Sequence, residues 1–211
     1  MKENKFPSLL LLVVLIAVFS ACNDDGEKKT ETPVKKDSVV TVKEKPVESK
    51  RAPVINITDT LSVKRIVLTV KDSAATMERV TLKLGEIYGI KLADAIKKNN
   101  LKTTGAPMAW YKTQKAPYFF EAGIPVDKRP AKPGPGIQVK ETTVDSAIVA
   151  HFYGPYDLLP QAYEVVKDML KERKKRIKYP PYEIYVDDPV DSTGRAKDPY
   201  KVQTDIVFPW K

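Results

Sequence analysis

Few side chains in this 211-residue chain have the type and spacing that chemistry requires. There is one cysteine, Cys22, and one histidine, His151. A lone cysteine permits neither a disulfide framework nor a thiolate metal site. No HExxH-like spacing accompanies His151, so no metal and no cofactor is expected, and it reads as a strand-end residue beside the Gly154-Pro155-Tyr156 turn. Serine-centred elbows, P-loops and dinucleotide-binding glycine patterns are missing from the sequence. What remains is an acid among aromatics, Tyr182-Glu183-Ile184-Tyr185. On a strand, Tyr182, Ile184 and Val186 face one way and Glu183, Tyr185 and Asp187 the other. The first set suits packing under a helix, which turns Glu183 and Tyr185 towards a groove. A carboxylate surrounded by rings loses hydration, and its pKa should rise. Such a group can face a ligand cation with help from the rings, or act as a general base towards water. The competing reading is an exposed strand glutamate paired with one of the many lysines.

Two amphipathic helices must position these residues. One carries Met77, Val80, Leu84, Ile87, Tyr88, Leu92, Ala95 and Ile96 on a single face and stops at Asn99-Asn100 and Gly105. The other carries Leu159, Ala162, Tyr163, Val166, Met169, Leu170 and Ile177, opened by Asp157 and closed by Tyr179-Pro180-Pro181. Strand signals rich in β-branched residues precede them at 63–70 and 144–151. Further strand signals follow at 108–112 and 118–126, and at 182–187 and 201–209. The order β-α-β-β thus occurs twice, with Pro133-Gly134-Pro135-Gly136 as the joint. The expected fold is α+β: two pseudo-symmetric modules at about 60–130 and 137–211, an antiparallel sheet with two main helices on one side, and a groove between the modules.

The repeat extends to individual residues. Pro107-Met108-Ala109-Trp110-Tyr111 aligns with Pro181-Tyr182-Glu183-Ile184-Tyr185, so one copy has an acid where the other has a methyl, and Tyr111 matches Tyr185. Trp110 matches Ile184 and is expected under the helix. Counted back from Pro125 and Pro209, Glu121 and Asp205 are equivalent, and each is a second-tier acid for the groove. Phe119 shares a face with Glu121. Trp210, like the other aromatics, is either core or ligand wall. A polar hairpin at 189–199 lengthens the second copy.

The stretch His151-Phe152-Tyr153-Gly154-Pro155-Tyr156, the helix after it, the run 181–189 and Thr204-Asp205-Ile206-Val207-Phe208-Pro209 together resemble the GyrI-like effector-binding domain. This module is also found at the end of AraC-type and multidrug-sensing regulators. The resemblance covers about residue 60 onwards and is closer in the second half. It implies a duplicated β-α-β-β fold with a small-molecule pocket between the halves, aromatic walls and a buried glutamate. Ligand-binding residues are then Glu183, Tyr185, Tyr111, Tyr156, Phe119, Glu121, Asp205 and Trp210. In sensors the family binds lipophilic, often cationic molecules; some relatives use the same glutamate to hydrolyse cyclopropane-containing compounds.

The N-terminal part reads as an address. Lys2 and Lys5 precede an apolar run from Leu9 to Phe19, too short to span a bilayer and laid out like a secretory signal. Phe19-Ser20-Ala21-Cys22 resembles a bacterial lipobox, with Phe where Leu is usual. It implies cleavage after residue 21 and lipidation of Cys22, with enough acyl chains to anchor the protein stably. Residues 22–59 are polar, charged and proline-bearing, and read as a disordered stalk. The expected location is the cell envelope, on the periplasmic face or the outer-membrane surface. The net charge of +9 is concentrated at 171–178, read as the last turns of a helix, where cations suit the dipole; nucleic acid is not expected as a partner. The leading functional expectation is a membrane-anchored small-molecule binder. The alternatives are a hydrolase with Glu183 as general base and a structural head that binds a protein partner.

Overall fold

A computed structural model describes residues 51–211. Cys22, the expected signal segment and the expected stalk up to residue 50 lie outside the described residues. The described residues belong to one compact unit, Ser49–Lys211, with hydrophobic clusters of its own.

The domain is α+β. Its strands are β1 Val54–Leu61, β2 Ile66–Ala74, β3 Met108–Tyr111, β4 Tyr118–Val126, β5 Gln138–Glu141, β6 Ser146–Tyr153, β7 Tyr182–Tyr185 and β8 Gln203–Pro209. All pair antiparallel, in the order β1-β6-β8-β7-β3-β4-β2-β5. The first helical stretch is α1 Met77–Glu86, a π-helical segment Ile87–Leu92 and α2 Ala93–Lys98; the second is α3 Leu159–Glu172. Thr76 caps α1 by accepting from the Arg79 amide, which satisfies one orphan donor. The buried positions Ile87 and Leu92 are five residues apart. In an α-helix they would diverge by about 140°, and the wider π turns bring Leu92 back to the core face.

The order of strands is unchanged when β1 to β4 are exchanged with β5 to β8, as a pseudo-two-fold axis requires. The axis passes where β3 meets β7, since the equivalent residues Ala109 and Glu183 are partners across that pair. Each module also lends its leading strand to the other: β1 pairs with β6 and β5 with β2. β1 begins at Val54, inside the stretch whose composition reads as stalk, because Ile55 and Ile57 alternate onto the core beneath α3. β5 carried too short a pattern to stand out.

This exchange bends the sheet. Four residues, 62–65, connect β1 to β2, six strands away, and residues 142–145 connect β5 to β6 over the same separation. Six strand spacings span about 29 Å, whereas five extended steps reach about 18 Å. The sheet therefore curls, with the helix-free face inward. There Val67 of β2 joins Ala147 and Val149 of β6, Trp110, Tyr182 and Val207 in one cluster. Trp110 and Ile184 thus lie on the face away from the helices, contrary to the expectation that they pack beneath one. The two straps bond to each other, from the Ser62 amide to the Asp145 carbonyl (2.8 Å) and from the Thr142 amide to the Arg65 carbonyl (3.0 Å).

α3 is also shorter than its periodicity suggests. It ends at Glu172, and Lys174 takes φ 54°. Ile177 pairs with Trp210 instead of continuing the helix, so most of the basic run is an exposed loop and not a helix end.

At Gly123 of β4 the neighbouring strand leaves no room for a side chain. A Cβ there would stand 2.6 Å from Val67 Cγ1 and 3.0 Å from the Leu68 carbonyl oxygen. Gly123→Ala should therefore cost about 1–3 kcal/mol as an overpacking defect, read as a lower urea midpoint; an unchanged midpoint would refute the close approach.

Candidate functional site

Glu183 and Tyr185 of β7 and Tyr111 of β3 do face the cleft between the helices, although for a different reason than their apolar neighbours suggest. Tyr182 is buried on the concave face and Ile184 packs half-buried against it, so alternation turns Glu183 to the helix side. Glu183 is fully buried. Tyr163 of α3 donates to its Oε1 at 2.8 Å. Tyr185 donates to Oε2 at 3.0 Å, and Tyr156 donates to the same oxygen. Behind them, the Tyr111 hydroxyl lies 3.0 Å from that of Tyr185. Tyr88, in the π-helical segment, packs edge-on to the Tyr185 ring at 6.3 Å and donates to the Met108 carbonyl.

The electrostatics of this box are unusual in one respect. Burial raises the Glu183 pKa to about 7, although three phenol donors pull the other way. Among the described residues no cation forms an ion pair with it. The same burial, reinforced by the nearby carboxylate, pushes the Tyr156, Tyr163 and Tyr185 hydroxyls well above their ordinary range. They therefore act as hydrogen-bond donors and not as bases. When Glu183 is ionised, all three phenols can donate to it. When it is protonated, its own hydrogen can be accepted by one phenol, whose hydrogen then turns to a neighbour; Tyr156 and Tyr185 stand 3.1 Å apart, close enough for that exchange.

The expected open groove is closed over this carboxylate. Tyr156, in the short 3₁₀ turn Tyr156–Leu158 after Pro155, and Tyr185 form its half-buried lid. Two cavities of about 250 Å³ lie instead on the concave face, one lined by Trp110, Lys140, Tyr179 and Tyr182 and the other by Thr58, His151, Ile184 and Asp205.

The remaining expected site residues lie elsewhere. Phe119 is 49% exposed. Glu121 shares its face, away from the helices, and bonds Lys140 at 2.6 Å and Thr69 at 2.7 Å. Asp205 bonds His151 at 2.7 Å on that same face. Both acids have structural partners because they alternate with core residues, Phe120 and Ala122 in one case and Ile206 in the other. Trp210 is four residues beyond Ile206, which pairs with Glu183, hence about 13 Å along β8; its ring is covered by Lys175 at 4.5 Å. Tyr163 and Tyr88, which do belong to the box, read in the sequence as members of apolar helix faces. Their signal was a hydroxyl on a buried stripe, which needs a partner.

No family model and no curated protein matches this chain. Solved structures do. The C-terminal domain of EcmrR superposes with a TM-score of 0.62 at 16% identity, over 75% of this chain and 98% of that one. This is the fold that the GyrI-like resemblance implies. EcmrR in its DNA complex gives a TM-score of 0.63 at 18% identity, and the match spans 74% of this chain but 57% of that one. A hydrolase from Listeria innocua gives 0.50 at 12% identity, over 77% of this chain and 93% of its own. At these identities the likeness is one of fold.

The raised Glu183 pKa makes a stability prediction. The folded carboxyl binds its proton more tightly than the unfolded one, whose pKa is near 4.5. Its contribution is therefore complete below about pH 4.5 and is lost as pH rises towards about 7. Wild type should lose about 3 kcal/mol relative to Glu183→Gln across that window, measured by urea unfolding at stepped pH. Parallel curves for the two proteins would show that Glu183 does not titrate in this range.

Proposed function

We propose that this domain captures a small, largely apolar cation between its two helices, with Glu183 as counter-ion and the tyrosines as walls. The observation that carries this reading is a fully buried carboxylate held by phenols and, among the described residues, paired with no cation. Burying an acid without a countercharge costs stability, and a desolvated ligand cation would both relieve that cost and meet the negative faces of the rings. Tyr156 would have to swing aside to admit it, with Gly154-Pro155 as its short support.

Binding would drive Glu183 to ionise. Affinity for a lipophilic quaternary ammonium should rise roughly tenfold between pH 6 and 8, following ionisation of a group with pKa near 7. A neutral carbon isostere should show no such rise. Titration calorimetry in two buffers of different ionisation enthalpy would read the released proton. A pH-independent affinity, or a Glu183→Gln variant that binds as wild type does, overturns the proposal.

A second reading rests on the same pKa. A carboxylate near 7 suits a general base at neutral pH, with Tyr185 or Tyr111 orienting an electrophilic substrate. It requires product formation that disappears in Glu183→Gln while the fold remains; stable binding with no product decides for capture.

In both readings we place the domain at the cell envelope, held by lipid on Cys22. Cells fed labelled palmitate should label the full chain and not Cys22→Ser. Equal labelling, or none in either, would remove the anchor.

A further inference from the structure

The strand exchange leaves the β1–β2 and β5–β6 straps and the loop after α3 side by side at one end of the domain. Lys178 bonds Asp145 of one strap, and Asp145 in turn holds Ser62 of the other. The Lys178 amide also donates to the Pro209 carbonyl at 2.8 Å, and the Trp210 amide to the Ser146 carbonyl at 2.8 Å. Large apolar side chains cluster there facing solvent. Leu61, Val63, Val144, Ile177 and Tyr179 are all between 39 and 61% exposed. No core position demands them: the cores beneath are closed by other residues. Beside them stand Lys174, Lys175 and Arg176, fully in the exposed loop, and among the described residues none has a carboxylate within ion-pair reach; Lys64 on the first strap makes only an open contact with Glu141 at 3.9 Å.

An exposed apolar patch rimmed by cations that have no carboxylate partner among the described residues, Lys175 resting over the Trp210 ring, matches the two components of a lipid interface, acyl boundary and anionic headgroups. We infer that this end of the domain docks on an anionic bilayer surface, with the aliphatic and tyrosine side chains entering the interface and the loop cations meeting lipid phosphates. The inference goes beyond ligand capture and does not require lipid on Cys22. The loop conformation serves it. Because the helix ends at Glu172, the cations lie on the same protruding loop as Ile177 and Tyr179, beyond the last helical turn. Docking would also leave the lid of the tyrosine box free, because β6 runs from Ser146 at the patch to Tyr153, near Tyr156, about 24 Å away.

Residues 51–211, which contain the whole of the described core, can be floated with vesicles of phosphatidylcholine alone and with vesicles that also carry phosphatidylglycerol. The expected result is at least roughly tenfold stronger partition to the anionic vesicles, reversed by high salt. Lys174→Glu/Lys175→Glu/Arg176→Glu should abolish it, and Val63→Ser/Val144→Ser should weaken it with an unchanged melting temperature. No flotation at low salt, equal partition to both vesicles, or wild-type flotation by either variant overturns the proposal. So does tighter binding to duplex DNA than to vesicles with no effect of the valine changes, which would assign the cations to nucleic acid.

Discussion

The Glu183 carboxylate, taken out of water without a countercharge among the described residues, is the constraint on which the rest of the helix side turns. Its cost is offset by three phenol donors, and each must arrive from a different place: Tyr163 from α3, Tyr156 from the turn ahead of α3, Tyr185 from its own strand. Those positions fix the helix against the sheet more narrowly than apolar packing would, since hydrogen bonds to a charged or shared-proton group are directional and cost most when one partner is removed. Tyr111 and Tyr88 then bring the first module into the same network. The two halves are joined at their symmetry axis by polar contacts as much as by the short β3–β7 pairing.

Symmetry explains why there is one such acid and not two. At the axis Ala109 and Glu183 are direct partners, so a second glutamate would put two carboxylates about 5 Å apart in a dry site. Like charges at that range cannot both ionise. A duplicated fold can therefore place an acid on its axis only by breaking its own repeat, and the methyl of Ala109 leaves the room into which the phenols of both modules close. The departure from the repeat visible in the sequence is thus where function is to be sought, in agreement with the general tendency for local inconsistency to mark sites.

The repeat, both helices and six of the eight described strands were legible from their runs of apolar, β-branched and aromatic residues. The lost elements share a physical cause. β1 and β5 alternate only a few apolar residues and are stabilised by pairing with the opposite module, a long-range contact that leaves no local trace. The exchange of these strands also made the concave face a second core, and this reversed the argument about alternation: Tyr182 and Trp110 are buried and Ile184 is half-buried, but on the side without helices. Glu183 was placed in the cleft by the right parity and the wrong cover. Glu121 and Asp205 failed for a related reason, since their equivalence by repeat was real but gave no information about which face they share. The helix end at Glu172 was hidden by Ile177, whose apolar side chain continues the helical spacing while its backbone joins β8.

A closed box also bears on selectivity. A neutral aromatic guest must displace phenols that already satisfy a carboxylate, and each such bond, being charge-assisted, is worth about 1.5–3 kcal/mol. The guest returns only buried area, about 25 cal/mol per Å², against rings that were already in contact with one another. A cation returns more, because Coulomb attraction in a dry site is several-fold stronger than in water and the acid it meets is otherwise unpaired. A closed box therefore acts as a filter: it raises the threshold for every guest and leaves charge as the property that clears it. The lid residue Tyr156 is suited to set that threshold, since it alone among the three donors sits on a one-turn 3₁₀ segment and not on a strand or a long helix, where its displacement disturbs the fewest backbone bonds.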